Sequence, residues 1–198
     1  MPAAPARVVK SNHRPAKRGA LANEAGPEAC FVAFDTETTG LDSLSRIVEL
    51  AAIRYENGRE VGRFATLIDP GCAIPRPAMA IHGITDRMVR GQPRAPQAIG
   101  RFLEFAGGAT LIAHNASFDV RMINGELDRA RLPRLTAPVM CTRTLARRYV
   151  PGLWDYRLET VAWKLGVTAE PQQHRAMADA LLVAGIVLKL LISAPRSQ

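Results

Sequence analysis

The sequence predicts an α/β domain, a mixed five-stranded sheet flanked by helices, and three observations carry that prediction. Apolar runs of strand length recur, among them "CFVAF" and "ATLIAHN". Two early runs are joined by "ENG", whose Asn57-Gly58 pair favours the positive φ angles of a hairpin turn. Beyond that hairpin, strand-like runs alternate with segments of helical spacing, the pattern of helices laid on a sheet.

Taken in order, "CFVAF" suits a central strand, and "TTG" supplies the turn that ends it. "RIVELAAIRY" and "REVGRFATLID" are the second and third strands, made antiparallel by their hairpin. From Pro75 the chain reads as irregular through "IHGITDRMV", and then "APQAIGRFLEFAGG" has helical spacing and a Gly-Gly stop. "ATLIAHN" is a buried strand, "SFDVRMINGELDRA" a helix and "APVMCT" the fifth strand. "TRTLARRYV", "RLETVAWKLG" and the stretch from Arg175 to Ser193 are helical. The last holds "AMADALLVAGIVLKLLIS", in which Asp179 and Lys189 argue for a buried helix over a membrane span.

With 198 residues, 47% hydrophobic and 22% charged, the chain can bury one core of ordinary size. Its 26 Lys and Arg against 18 Asp and Glu leave a net charge of +8, which suits a polyanionic partner. Cys30, Cys72 and Cys141 are odd in number and form no C-x-x-C, so they read as buried thiols of a reducing compartment, placing the protein in the cytoplasm. Residues 1–28 combine Pro, Ala, Gly and basic side chains without an apolar stretch for secretion, and are expected to form a disordered basic tail before a domain at 29–198.

The chemistry begins at "FDTETTG". Side chains alternate along a strand, so Asp35 and Glu37 share a face roughly 7 Å apart. Like charges held that close in a partly dry site either raise a pKa or recruit a cation. "HNASFD" brings a third carboxylate: Asn115 or Ser117 can cap the following helix, and Asp119 falls in its first turns. Ligands of open α/β sheets gather outside the strand ends where such helices start, which puts Asp119 near the first pair. In "HRAMADA", His174 and Asp179 are five apart and converge only if His174 precedes the helix, as Pro171 and the polar "QQ" imply.

Hard oxygen ligands suit Mg²⁺ or Mn²⁺, and a single His without paired Cys argues against structural zinc. Two such ions, roughly 3.5–4 Å apart, stabilise the attacking and leaving oxygens of an in-line phosphoryl displacement. His174, with an ordinary pKa of about 6.5, can take the proton of the attacking water. Taken singly, Asp119 reads as a helix-start charge, Asp179 as a surface charge and His174 as a loop residue; their joint occurrence in this order is what points to a site.

"FDTETTG", "HNASFD" and "HRAMADA" resemble the three motifs of the DEDDh exonucleases of the ribonuclease H-like superfamily, a group that includes the proofreading ε subunit of bacterial DNA polymerase III and ribonuclease T. The resemblance spans about residues 30 to 192 and includes "IHGIT". It implies that Asp35, Glu37 and Asp179 hold one metal, that Asp35 touches a second supported by Asp119, and that His174 is the general base. It implies stepwise removal of 5′-mononucleotides from 3′ ends. It also places Thr38, Thr39 and Gly40 against the terminal nucleotide, Asn115 and Phe118 near the scissile end, and His82 along the same groove; for Phe118 a core role reads ahead.

The expected substrate is single-stranded or frayed DNA, with RNA trimming, an inactive nucleic-acid-binding module and a ribonuclease H-type endonuclease as rivals. The intact acids and His174 speak against the module, and the spacing of His174 against the endonuclease. The chain ends at "SAPRSQ", whereas the replicative ε subunit continues into a polymerase-binding tail, so the expectation is a free-standing exonuclease or one with another polymerase or repair partner.

Overall fold

Strand β1 (Phe31–Thr38) is the middle of the sheet in the computed structural model, which describes residues 30–168 and 175–193. On one side β2 (Ile47–Glu56) and β3 (Arg59–Leu67) continue it as an antiparallel meander. On the other, β4 (Thr110–Ala113) and β5 (Val139–Cys141) are parallel to it, giving the order β3-β2-β1-β4-β5. Helices α1 (Arg76–His82), α2 (Asp86–Val89) and α3 (Ala95–Ala106) lie between β3 and β4, and α4 (Ser117–Arg129) between β4 and β5. The chain continues through α5 (Thr142–Tyr149), α6 (Leu158–Lys164) and α7 (Ala176–Ser193). This is the mixed five-stranded α/β architecture that the hairpin and the later alternation predict.

The alternation of β1 assigns its residues to two layers. Val32 and Phe34 join Leu50, Ile99, Phe102, Met122 and Ile123 in a core beneath α3 and α4. Phe31 and Ala33 pack instead on Val183, Ala184 and Val187 of α7. Period two therefore carries Asp35 and Glu37 onto the α7 face and Thr36 onto the α4 face. Phe34 and Phe102, both fully buried with ring centroids 5.4 Å apart, anchor the α3 side; emptying the Phe102 site to Ala costs about 3–5 kcal/mol.

The pairing of β1 with β4 covers only Phe31 to Ala33, so Phe34 to Thr38 run past the short parallel strand. That overhang forms the crevice into which α4 starts. On the other face, α7 approaches closely at Gly185, where a Cβ would stand 2.5 Å from Val167 Cγ1. Ala146, Val161, Leu182 and Ile186 close a second core among α5, α6 and α7.

Three expectations need correction. The stretch after Pro75 is not irregular: α1 and α2 lie in it, but helices of seven and four residues are too short to display a period. Cys72 is exposed and Cys30 and Cys141 are only half-buried, because the first lies in a surface loop and the others at strand ends; all three are free thiols. Neither Asn115 nor Ser117 caps α4. Ala116 occupies the cap without a side-chain bond, and backbone contacts from Phe118 N to Asn115 O (2.8 Å) and Val120 N to Ala116 O (3.0 Å) close the turn. Among the described residues no helix is long and apolar enough to cross a membrane. The predicted tail at 1–28 lies outside the described residues.

Candidate active site

Three carboxylates converge where β1 overhangs the sheet. Asp35, Glu37 and Asp179 each offer an oxygen, and these atoms lie within 4.8 Å of one another. The first two arrive by strand alternation and the third from the opening turn of α7, where Asp179 N–H donates to Arg175 O at 3.2 Å. Asp119 enters from the opposite layer, 2% exposed in the first turn of α4, and accepts a 2.7 Å hydrogen bond from Thr36 Oγ1. It stands apart from the three-carboxylate group, yet its charge acts on Asp35.

Negative charge crowded into a buried crevice raises the pKa of Asp35, Glu37 and Asp119. Burial, then the charges of Asp119, Asp179, Glu37 and Glu49, hold the Asp35 carboxyl well above its ordinary range. Burial, Asp179 and Glu49 push Glu37 up to about 8, against the pull of Arg175. Burial also lifts Asp119, to about 7, although the Thr36 hydroxyl works the other way. Each shift has the same first cause, burial of an anion away from water, and neighbouring anions add to it. A cluster of hard oxygens in that condition fits a divalent cation of the Mg²⁺ or Mn²⁺ kind.

The residues expected around the nucleotide each have a local setting of their own. Thr38 Oγ1 donates to Gly40 O at 2.7 Å, and Thr39 Oγ1 accepts from Arg46 N at 2.9 Å, so the turn after β1 is tied to itself. Gly40 is required there, because a Cβ would stand 2.8 Å from Ser45 Oγ, which already bonds Asp42. Asn115 is exposed at φ 62°, a left-handed conformation that Asn tolerates, with Arg143 Nη1 3.4 Å from its Oδ1. Phe118 is half-buried against the α3–α4 core, with the Arg121 guanidinium 5.3 Å from its ring centre. His82 is 4% exposed at the end of α1; Nδ1 accepts from Ile84 N at 3.0 Å, and Nε2 meets no partner of good geometry among the described residues. Burial holds its pKa below the usual value, opposed by the Thr38 backbone and Glu49. His174 lies outside the described residues.

Sequence reasoning passed over three groups. Glu49 stands opposite Glu37 in the β1–β2 ladder, buried, and grips Arg175. Its signal was present: a lone acid in the apolar run "RIVELAAI". Thr36, between the two acids, binds Asp119. His114 joins Thr142 Oγ1 and Tyr156 O, both at 2.9 Å, pinning α5 and the approach to α6 at the end of β4; since a carbonyl only accepts, Nε2 carries the proton.

Fold and site together define a nuclease-like α/β domain, and comparison with known proteins makes this specific. Residues 32–187 match the Exonuclease (RNase T) family. DNA polymerase III subunit epsilon of Aquifex aeolicus is 37% identical over 165 residues, covering 83% of this chain and 81% of that protein. The chain also matches PolC-type DNA polymerase III proteins, of which it spans about a tenth, as in the Pediococcus pentosaceus protein (38% identity over 150 residues). Exonuclease X, solved in complex with 5′ overhanging duplex DNA, superposes with a TM-score of 0.69 at 33% identity over 83% of this chain and 92% of its own. The nuclease domain of 3′hExo, a DEDDh family member solved with rAMP, superposes at 0.74 with 15% identity over 89% and 98% of the two chains, a likeness of fold. The chain belongs to the exonuclease family, as a 3′–5′ exonuclease of the DEDDh type related to DNA polymerase III epsilon.

Proposed function

We propose that this exonuclease shortens single-stranded or frayed DNA from its 3′ end, releasing 5′-mononucleotides, with two Mg²⁺ or Mn²⁺ ions at the site. The observation that carries the reading is the convergence of Asp35, Glu37 and Asp179 within 4.8 Å in a crevice where burial and like charge hold Asp35 and Glu37 above their ordinary range. DNA is preferred to RNA because relatives above 30% identity include DNA polymerase III proteins and an exonuclease solved with DNA.

In this reading Asp35, Glu37 and Asp179 hold one ion, while Asp35 and Asp119 serve the other. Bound divalent ions supply Lewis-acid stabilisation of the attacking and leaving oxygens. The chain supplies the rest: His174 accepts the proton of the attacking water, and Thr38, Thr39 and Gly40 support the terminal nucleotide on the tied turn. Asn115 and Phe118 flank the scissile end. His82, at the end of α1, lines the same groove. The basic residues Arg7, Lys10, Arg14, Lys17 and Arg18 of the predicted tail add affinity for the phosphate backbone. A polymerase or repair complex is the proposed partner, and the free thiols fit a cytoplasmic location.

The test uses matched single-stranded DNA, RNA and duplex oligonucleotides labelled at the 5′ end. A descending ladder on single-stranded DNA, abolished by chelator and restored by Mg²⁺ or Mn²⁺, is expected. Immediate release of the labelled nucleotide, cleavage of a circular single strand, or faster attack on RNA overturns the corresponding part of the reading.

A further inference from the structure

Five carboxylates, not four, border the crevice. Glu49 faces Glu37 directly across the β1–β2 ladder, and paired residues project from the same face with Cβ atoms about 4.5–5.5 Å apart. By position alone Glu49 would pass for a metal ligand. Its oxygens are otherwise engaged. Arg175 Nη2 donates to Oε1 at 2.5 Å and Arg175 Nε to Oε2 at 3.0 Å, a two-point fork, while Ala176 N–H donates to Oε2 at 3.1 Å. The three-carboxylate group that could share a cation does not include Glu49.

These bonds have a consequence for Asp179. The carbonyl of Arg175 accepts the first helical bonds of α7, from Ala178 N at 2.9 Å and Asp179 N at 3.2 Å. Glu49 thus caps α7 from a neighbouring strand, in the place a local Ser or Asp side chain usually fills. One continuous path runs from the strand partner of Glu37, through the Arg175 guanidinium and backbone, to the amide of Asp179. Sliding or tilting of α7 at its start would carry Asp179 away from Asp35 and Glu37.

We propose that Glu49 and Arg175 act as a positioning clamp: they do not hold metal themselves, but fix the start of α7 so that the Asp179 carboxylate stands opposite Asp35 and Glu37. The clamp rests on the metal-dependent reading of the site given above. It also secures the residue that follows His174 in the sequence. Arg is needed because a two-point fork fixes direction as well as distance, which the point charge of Lys does not.

The experiment measures Mn²⁺ binding to the full-length protein by paramagnetic resonance and calorimetry, with melting temperature and oligonucleotide kinetics on the same samples. Glu49→Gln keeps an acceptor for Ala176 but loses the charge, and Arg175→Lys keeps the charge but loses the fork. Both should weaken Mn²⁺ binding roughly tenfold to hundredfold, as loss of groups that orient ligands commonly does. They should lower kcat while KM for the oligonucleotide stays within about twofold, since substrate contacts are untouched. Arg54→Ala is the comparison, because Arg54 ties the far end of β2 to Phe105 O and Ala106 O at 3.1 and 2.7 Å. It should lower the melting temperature and leave Mn²⁺ binding unchanged.

Mn²⁺ affinity of both clamp variants within about twofold of wild type would reduce the pair to a stabilising contact and overturn the proposal. Loss of binding as complete as in Asp35→Ala would make Glu49 a ligand and overturn it equally. Should Glu49→Gln fail to fold, Arg175→Lys reads the same quantity. A wild-type protein that binds no Mn²⁺ would instead strike at the metal-dependent reading itself, a separate result.

Discussion

Thr36 and Asp119 join the two layers of the site: the hydroxyl on β1 donates to the carboxylate on α4 across 2.7 Å, both groups buried. The bond favours the ionised carboxylate, so it opposes the burial that raises the Asp119 pKa. Thr36→Val removes the donor at nearly constant volume. A hydrogen bond to a charged group contributes roughly 1.5–3 kcal/mol, so divalent-ion affinity at neutral pH should fall about tenfold to hundredfold. The deficit should narrow as pH rises, because alkali ionises Asp119 without help. Calorimetric titration with Mn²⁺ across that range checks it; a deficit that does not change with pH would mean that Thr36 acts by shape alone.

The raised carboxyl pKa values fix the sign of a pH effect on stability. Unfolded, these groups ionise near pH 4; folded and metal-free, Glu37 ionises at about 8 and Asp119 at about 7, with Asp35 also raised. Their contribution is fully present below the unfolded value and is lost as pH rises through the folded values. The melting temperature of the chelated protein should therefore fall by several degrees between about pH 5 and pH 8.5. With saturating Mg²⁺ the fall should largely disappear and the curve should lie higher, since bound cations replace the protons and bind only the folded state. A chelated protein that gains stability over this interval would contradict the crowding of uncompensated anions.

Asp35→Asn separates stability from function. It removes a buried charge that repels Asp119, Asp179, Glu37 and Glu49, so the metal-free variant should melt higher than wild type at alkaline pH. The same change should erase most of the Mg²⁺-induced rise and cut turnover by a factor on the order of 10² to 10⁴, the several kcal/mol that metal ions contribute to such reactions. Differential scanning fluorimetry with and without Mg²⁺, alongside single-turnover hydrolysis, measures both. A variant that keeps the full Mg²⁺ response would remove Asp35 from the ligand set.

What the sequence disclosed follows from how local each signal is. The pairing of Asp35 with Glu37 needs only strand alternation, and the Asn57-Gly58 hairpin needs only turn chemistry, so both were legible. Asp119 was legible as a helix-start acid, which the rule that ligands gather outside strand ends puts near the first pair, whereas Asp179, singly a surface charge, was legible only through its joint occurrence with the other motif residues. The grip of Glu49 on Arg175, 126 positions apart, has no local signature, because it depends on the register of β2 against β1 and on the packing of α7. The same holds for Thr36, whose partner lies 83 positions away. Helices α1 and α2 escaped for the opposite reason: each is local but too short for its period to be read. Cys72 misled because residue type predicts burial only on average, and the loop around it faces solvent.

His174 and Asp35 should fail in different ways when removed. In the proposed mechanism His174 accepts a proton from water, whereas Asp35 holds cations, so His174→Ala should leave Mn²⁺ affinity nearly intact while slowing hydrolysis by a factor on the order of 10² to 10⁴. Because an imidazole that must be neutral to act produces an acid limb in the rate profile near its ordinary pKa of about 6.5, that limb should vanish in the variant. Added free imidazole should restore part of the rate to His174→Ala and none to Asp35→Ala, since a small base can enter a vacated position but cannot rebuild a cation site. Single-turnover rates on a 5′-labelled oligonucleotide between about pH 5.5 and pH 9, with Mn²⁺ titrations on the same two variants, measure all three quantities. Equal loss of Mn²⁺ affinity in both variants would make His174 a ligand, and an unchanged acid limb in His174→Ala would assign the proton to another group.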